Sequence, residues 1–248
     1  MKKQLLILSV VTVSMILFSC SKEKSDMPTN EQTINEEMVA PSKPTIDPLS
    51  LNLEGCYEFN NSLVDKTNKL GTPYSSAEKV QYGPDRKGNP TGSIQFQGNH
   101  YLYLPAVPRK ANSSISVWIK YNSADTAGIL NGSVPKLSQY NNSIIGATSN
   151  PAGPVNEYSF QLRPDNGWHH IVIAADPSSS KFYLDGKLVK IISASMLIPN
   201  GFSEYFIGSA GVVDFWNGAM DDLRFYSRTL TATDVKALFG TTLDTSIQ

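Results

Sequence analysis

Much of the chain consists of short runs in which apolar and polar positions alternate, separated by turn residues. Ser93-Ile94-Gln95-Phe96, His100-Tyr101-Leu102-Tyr103-Leu104 and Ser114-Ile115-Ser116-Val117-Trp118-Ile119-Lys120 all repeat with a period of two. That is the period of a strand with one face buried, because successive side chains point to opposite sides of a sheet. Tyr57-Glu58-Phe59 and Tyr158-Ser159-Phe160-Gln161-Leu162 alternate in the same way, and Phe206-Ile207-Gly208 and Leu223-Arg224-Phe225-Tyr226 complete the series. Asn60 to Gly71 and Tyr82 to Pro90 are rich in turn residues and read as loops.

The stretch from Gly167 to Val189 is the part to which the others are fitted. It predicts strands over His169 to Ala175, Lys181 to Leu184 and Lys187 to Ile192, with Pro177 and three serines separating the first two. Asp185-Gly186 between apolar runs is a hairpin signal, because a type I′ turn needs positive φ at both central positions. Ser123 to Pro154 is different: it is rich in Asn, Gly, Ser and Pro, and its two short apolar runs, at Gly128-Ile129-Leu130 and Ser143-Ile144-Ile145-Gly146, carry no clear period. A single helix is expected near the C-terminus. Thr231 with Asp234 three residues on forms a capping box, Val235, Leu238 and Phe239 share a face, and Gly240 ends it. About two turns are marginal alone, so that face must dock on a sheet. Many short strands, frequent turns and no alternation of strands with helices predict an all-β, two-sheet antiparallel sandwich with one short C-terminal helix.

The N-terminus follows another logic. Lys2 and Lys3 precede an apolar run from Leu5 to Phe18, too short to cross a bilayer core of roughly 30 Å, which is the pattern of a secretory signal. Leu17-Phe18-Ser19-Cys20 resembles the lipobox of bacterial lipoproteins, in which the cysteine becomes the lipidated mature N-terminus. Residues 1–19 are therefore expected to be a signal peptide and residues 20–50 a lipid anchor and tether. The segment 21–50 has four prolines and no aromatic residue, so it cannot bury enough apolar surface to offset its ordering entropy. The folded domain is expected over 51–242 and a tail over 243–248. With Cys20 lipidated, Cys56 has no disulfide partner and reads as a small buried residue. The opening Ser21-Lys22-Glu23-Lys24-Ser25-Asp26 resembles charged signals that direct some Gram-negative lipoproteins to the outer face of the outer membrane.

Charge changes the picture by exclusion. The leader takes two of the 21 basic side chains, and the tether takes three, with six of the 22 acidic ones, which leaves sixteen of each sign for the domain. A neutral domain without a basic cluster is a poor partner for nucleic acid. No G-x-S-x-G run and no phosphate loop occur. His169 and His170 are adjacent on a strand, so they point oppositely and cannot chelate one ion. Ile115, Val117 and Ile119 share a strand face, which leaves Trp118 on the other with Ser116 and Lys120. Were that face uncovered, its ring would offer a flat platform on which a sugar could stack.

Several pieces together resemble the laminin-G-like family of concanavalin A-type jelly rolls found in bacterial secreted proteins. They are Tyr57-Glu58-Phe59 with Asn61 and Asp65; Ile115 through Lys120; Trp168-His169-His170 through Tyr183-Leu184-Asp185-Gly186; and Ile207-Gly208 with the run from Trp216-Asn217-Gly218 through Asp221-Asp222-Leu223-Arg224-Phe225-Tyr226 to Leu230. The resemblance covers about Gly55 to Phe239 and departs from the family at Ser123 to Pro154 and at Lys66-Thr67. It implies a concanavalin A-like jelly roll, and relatives of this kind often hold Ca²⁺ at the sandwich edge. The oxygen donors that match here are Asp65 and Asn68 in the first loop and Asp222 near the last strand, unless these are solvated acids with Asp222 paired to Arg224 or Arg228. Enzymes of this fold that cleave β-glucans resemble one another in a Glu-x-Asp-x-x-Glu strand, which this chain lacks. Asp221 and Asp222, being adjacent, are expected on opposite faces. The expectation is a non-catalytic, lipid-anchored envelope protein whose module binds a glycan or a surface protein. The alternatives are a glycoside hydrolase with a divergent site and a structural component of a surface complex.

Overall fold

A computed structural model describes residues 47–123, 125–132, 135–141, 143–149, 155–162, 165–193 and 200–240. The expected signal peptide, Cys20, most of the tether and the 243–248 tail lie outside the described residues. Fifteen strands follow in chain order: β1 (Leu53–Tyr57), β2 (Tyr74–Ser75), β3 (Gln81–Gly83), β4 (Ser93–Gln97), β5 (Leu102–Arg109), β6 (Ser113–Tyr121), β7 (Ala127–Gly132), β8 (Lys136–Tyr140), β9 (Ser143–Ser149), β10 (Val155–Ser159), β11 (His169–Asp176), β12 (Ser179–Leu184), β13 (Lys187–Ser193), β14 (Gly201–Ile207) and β15 (Asn217–Tyr226). A 3-10 turn (Pro48–Ser50) precedes them and helix α1 (Ala232–Gly240) follows.

The strands form two antiparallel sheets. The first runs β13-β12-β11-β6-β15-β4-β3, with β1 paired to the C-terminal half of β15, and the second runs β10-β9-β8-β7-β14-β5-β2. Alternation fills the space between them: Ile94, Leu102, Ile115, Val117, Ile119, Ile207 and Met220 are fully buried in one core. A second, smaller cluster lies on the outer side of the first sheet, where Val172, Ala174, Tyr183 and Tyr226 meet Val235 and Leu238 of α1 and Leu49 of the 3-10 turn. β11 thus has apolar partners on both faces, Ile171 and Ile173 in the main core and Val172 and Ala174 under the helix, which is why its sequence is an unbroken apolar run.

The Asp185-Gly186 hairpin forms as expected, with φ of +48° and +75°. So does the capping box: Asp234 N donates to Thr231 Oγ1 at 3.2 Å and Thr231 N to Asp234 Oδ2 at 2.8 Å. Two expectations need correction. The first strand ends at Tyr57 because Phe59 turns to φ +52°, so Tyr57-Glu58-Phe59 is not one strand. The stretch from Ser123 to Pro154 holds β7, β8 and β9. Its strands are masked in sequence by glycines that close packing requires: a Cβ at Gly128 would lie 2.3 Å from the backbone of Ser209 and Ala210. Leu49 of the 3-10 turn is buried in the cluster with α1.

Candidate functional site

Asp65 is a loop organiser. Its carboxylate accepts from the backbone N–H of Cys56, Thr67, Lys69 and Leu70 at 2.8–3.0 Å and from Thr67 Oγ1 at 2.8 Å. Burial alone would raise its pKa, and these donors overcome that and hold it below the ordinary carboxylate range. Cys56 turns both its N–H and its C=O toward this loop while its neighbours pair with β15, so Asp65 and β15 flank opposite edges of β1. Asn68 is exposed at φ +58°. Asp222 sits on β15, and its partners are Arg86 and, at 3.8 Å, Arg224. Among the described residues no group of three or more His, Cys, Asp or Glu side chains is arranged to hold a metal ion. Arg228, the other expected partner of Asp222, binds Asp234 instead, at 2.7 Å.

A bulge in β15 overturns the expectation that Asp221 and Asp222 face opposite ways. The register with β6 shifts between Asp221 and Arg224, and Asp222 adopts φ +46°. Both carboxylates consequently meet one guanidinium: Arg86 Nη1 donates to Asp221 and Nη2 to Asp222. Arg86 and Asp221 have side chains only 6% and 5% exposed. Burial and the neighbouring Asp222 charge push the Asp221 carboxyl up to about 7, with Arg86 opposing. A depression of about 190 Å³ opens beside this triad, lined also by Glu58, Asn60, Asp85, Lys87 and Arg224.

Trp118 belongs to the same cluster and is not an open platform. His170, Trp118 and Asp221 stand side by side across β11, β6 and β15. Arg86 lies 4.6 Å from the centroid of the indole ring, and His170 and Phe239 of α1 stack on it at 5.0 and 5.6 Å. The ring is 6% exposed, because the helix that buries Leu238 also lays Phe239 over it. His170 is neutral, its pKa driven down to about 3 by burial and then by Arg86, and its Nε2 meets Ser116 Oγ at 2.9 Å. His169 faces the other way and is held by Asp185 at 3.1 Å.

Aromatic side chains do reach solvent on the second sheet. Leu102, Leu104, Tyr205 and Ile207 face the core, so the alternate positions Tyr103 and Phe206 face outward. The registers Tyr74↔Tyr103, Tyr103↔Phe206 and Phe206↔Asn131 place these residues in one row across β2, β5, β14 and β7. Tyr103 and Phe206 are 5.0 Å apart, Tyr101 lies 5.3 Å from Phe206, and Phe215 stacks on Tyr101 at 6.3 Å. Tyr74 is 64% exposed and Phe202, farther along β14, 69%. Glu204 accepts from Tyr103 Oη at 2.9 Å, which raises the phenol pKa and leaves a carboxylate among the rings. The sequence singled out none of these residues, although the signal was there: Tyr101 and Tyr103 alternate with two leucines that need the same face of the core.

A sequence model of the concanavalin A-like lectin/glucanases superfamily matches residues 96–236. No curated protein matches the chain. Among solved structures, domain 4 of an extracellular GH43 arabinanase from Geobacillus stearothermophilus, in complex with arabinotriose, is similar at 20% identity and a TM-score of 0.57, over 75% of this chain and 98% of that one. The ligand binding domain of botulinum neurotoxin serotype D in complex with N-acetylneuraminic acid is similar at 17% identity and a TM-score of 0.62, over 77% and 51%. The binding domain of paraclostridial mosquitocidal protein 1 gives 15% and 0.62, over 79% and 53%. The chain spans about half the length of these toxin domains, and at such identities the likeness is one of fold.

Proposed function

Since the chain belongs to the concanavalin A-like lectin/glucanases superfamily, whose model matches more than half of its length, we propose that its jelly roll is a non-catalytic carbohydrate-binding module. The glycan lies on the outer face of the second sheet. The observation that carries this reading is the row of Tyr74, Tyr103 and Phe206, extended by Tyr101 and Phe215, on a face that α1 does not cover. Aromatic faces stack on the apolar C–H surfaces of sugar rings, and Glu204 supplies a hydroxyl acceptor beside them. Solved domains of similar fold in complex with arabinotriose and with N-acetylneuraminic acid support it. The hydrolase alternative needs two carboxylates free to work on a substrate, whereas Asp221 and Asp222 are both engaged by Arg86.

The test is a glycan array on the mature chain followed by calorimetry with the best ligand. Tyr103→Ala together with Phe206→Ala should lower affinity at least tenfold, as expected for losing two stacked rings at about 1 kcal/mol or more each. Absence of any retained glycan, or unchanged affinity in the double variant, overturns the reading. The module is held outside the cytoplasm by lipid on Cys20, in the outer membrane. Cells fed a fatty-acid probe should label the wild type and not Cys20→Ala, and equal labelling removes the anchor.

A further inference from the structure

Resting on the carbohydrate-binding reading of the second sheet, we propose that Glu204 makes that face selective: it admits uncharged, linear oligosaccharides and turns away glycans that carry a carboxylate or a sulfate. Glu204 reaches solvent at an irregularity between β14 and β5, where the register passes from Ser203↔Val107 to Tyr205↔Leu104 and leaves Glu204 alone opposite Pro105 and Ala106. Ser203 and Tyr205 on either side of it are buried, while Glu204, Pro105 and Ala106 are exposed. A bulge re-aims a side chain, and this one sets the carboxylate beside Tyr103, whose phenol donates to Oε2 at 2.9 Å. Among the described residues no ion pair engages Glu204. Pro105 and Ala106 bring no counter-charge, and the register beyond them pairs Phe202 with Pro108. A negative charge thus stands uncompensated among the rings. A carboxylate only accepts, and beyond the bond to Tyr103 it has lone pairs for the hydroxyls of a sugar, which donate. A uronic or sialic carboxylate or a sulfate ester cannot donate, brings like charge, and would have to approach as the ligand displaces the water that screens the two. The row itself sets the shape of the ligand. Tyr74, Tyr103 and Phe206 stand on neighbouring strands, with Asn131 of β7 next in line. At about 4.8 Å between strands the row spans roughly 14 Å across the sheet, the length of a run of linked sugar rings rather than of one ring.

The experiment titrates the full mature chain by calorimetry with tetrasaccharides of cellulose, β-galactan and β-mannan, each beside the uronic acid form of the same chain and beside its monosaccharide. In the wild type at least one neutral tetrasaccharide should bind about fivefold or more tighter than its uronic form at low salt, and the gap should narrow as salt rises. That tetrasaccharide should also exceed its monosaccharide by about tenfold or more. Glu204→Gln keeps an acceptor for Tyr103 and removes the charge. The neutral chain should then lose affinity several-fold, because an uncharged acceptor is weaker, and the uronic chain should gain, so that their ratio falls toward one. Glu204→Lys should reverse the preference. A residue that merely shapes the strand would shift both ligands alike. Equal affinity for the two members of a bound pair, or a ratio that survives in Glu204→Gln, overturns selection by Glu204 while glycan binding stands. A monosaccharide held as tightly as its chain overturns the requirement for a linear oligomer. Binding of none of these chains overturns the whole inference, and the glycan array then decides the carbohydrate reading by itself.

Discussion

The two outer faces of the sandwich use aromatic residues in opposite ways. On the first sheet, Trp118 is roofed by Phe239, flanked by His170 and pressed by Arg86, so its ring is part of a second core. On the second sheet, Phe206 packs at a tilt against both Tyr103 and Tyr101, and all three rings are partly exposed. What separates the faces is the chain that follows β15. Arg228 donates to the carbonyls of Leu51 and Pro48 and to Asp234, which pins both the entry turn and α1 against the first sheet. The helix therefore decides which aromatic side chains are structural and which are available to a ligand.

The largest effect that could break this comparison is expected at Trp118. Trp118→Ala should cost about 3–5 kcal/mol, the range for truncating a buried aromatic residue, because it empties a site touched from three sides and removes the surface on which Arg86 rests. Urea unfolding followed by far-UV circular dichroism measures it. In the folded fraction glycan affinity should be unchanged. A loss below about 1 kcal/mol, the size of an exposed substitution, would mean that the roof of α1 is loose and the two faces are alike.

Acid should act next, through the helix. Arg228 donates to Asp234, and the Thr231 N–H and hydroxyl add to it, holding the Asp234 carboxyl down at about 2 against burial. A depressed carboxylate contributes stability above its unfolded pKa of about 3.9 and loses that contribution as pH falls through the folded value. Between about pH 4 and pH 2, roughly 2 kcal/mol of the attachment of α1 should therefore disappear. Trp118 fluorescence should shift to the red over that window as Phe239 lifts away. Asp234→Asn should show the red-shifted emission already at neutral pH, and a spectrum constant down to pH 2 would mean that this pair does not hold α1 in place.

What could be read from the chain divides along similar lines. Local chemistry was legible: Asp185-Gly186 declares its turn by composition, and Thr231 with Asp234 declares a helix start by spacing. Alternation located β4, β5 and β6, since the aliphatic residues of each fall on the face turned to the main core. It failed at β7, β8 and β9, where Gly128 and Gly146 stand for close approach to neighbouring chain and side chains, so that small residues replace the apolar ones a pattern needs. The site was less legible than the fold. The Arg86 contacts span some 135 residues, and the left-handed turn at Asp222 that aims both aspartates one way has no sequence signature. Nor does alternation say which strand face a distant helix will cover, which is why Trp118 looked open and Tyr103 and Phe206 went unremarked.

The smallest stability effect is expected where the binding effect is large. Phe206 is half-buried, faces outward from β14, and among the described residues its ring contacts are Tyr101 and Tyr103, so its removal opens no enclosed cavity. Phe206→Ala should then cost about 1 kcal/mol or less, the worth of an exposed cross-strand aromatic pair, since Tyr205 and Ile207 keep β14 anchored in the core. The same substitution should weaken glycan binding several-fold, because the ring between Tyr103 and Tyr101 is the centre of the row. Stability and affinity thus move independently on the second sheet, while on the first sheet only stability moves. Measuring both for Phe206→Ala against Trp118→Ala gives four values. If Phe206→Ala destabilised the fold by as much as Trp118→Ala, the outward row would be a structural layer in its own right, and a covering partner rather than a sugar would be what those rings await.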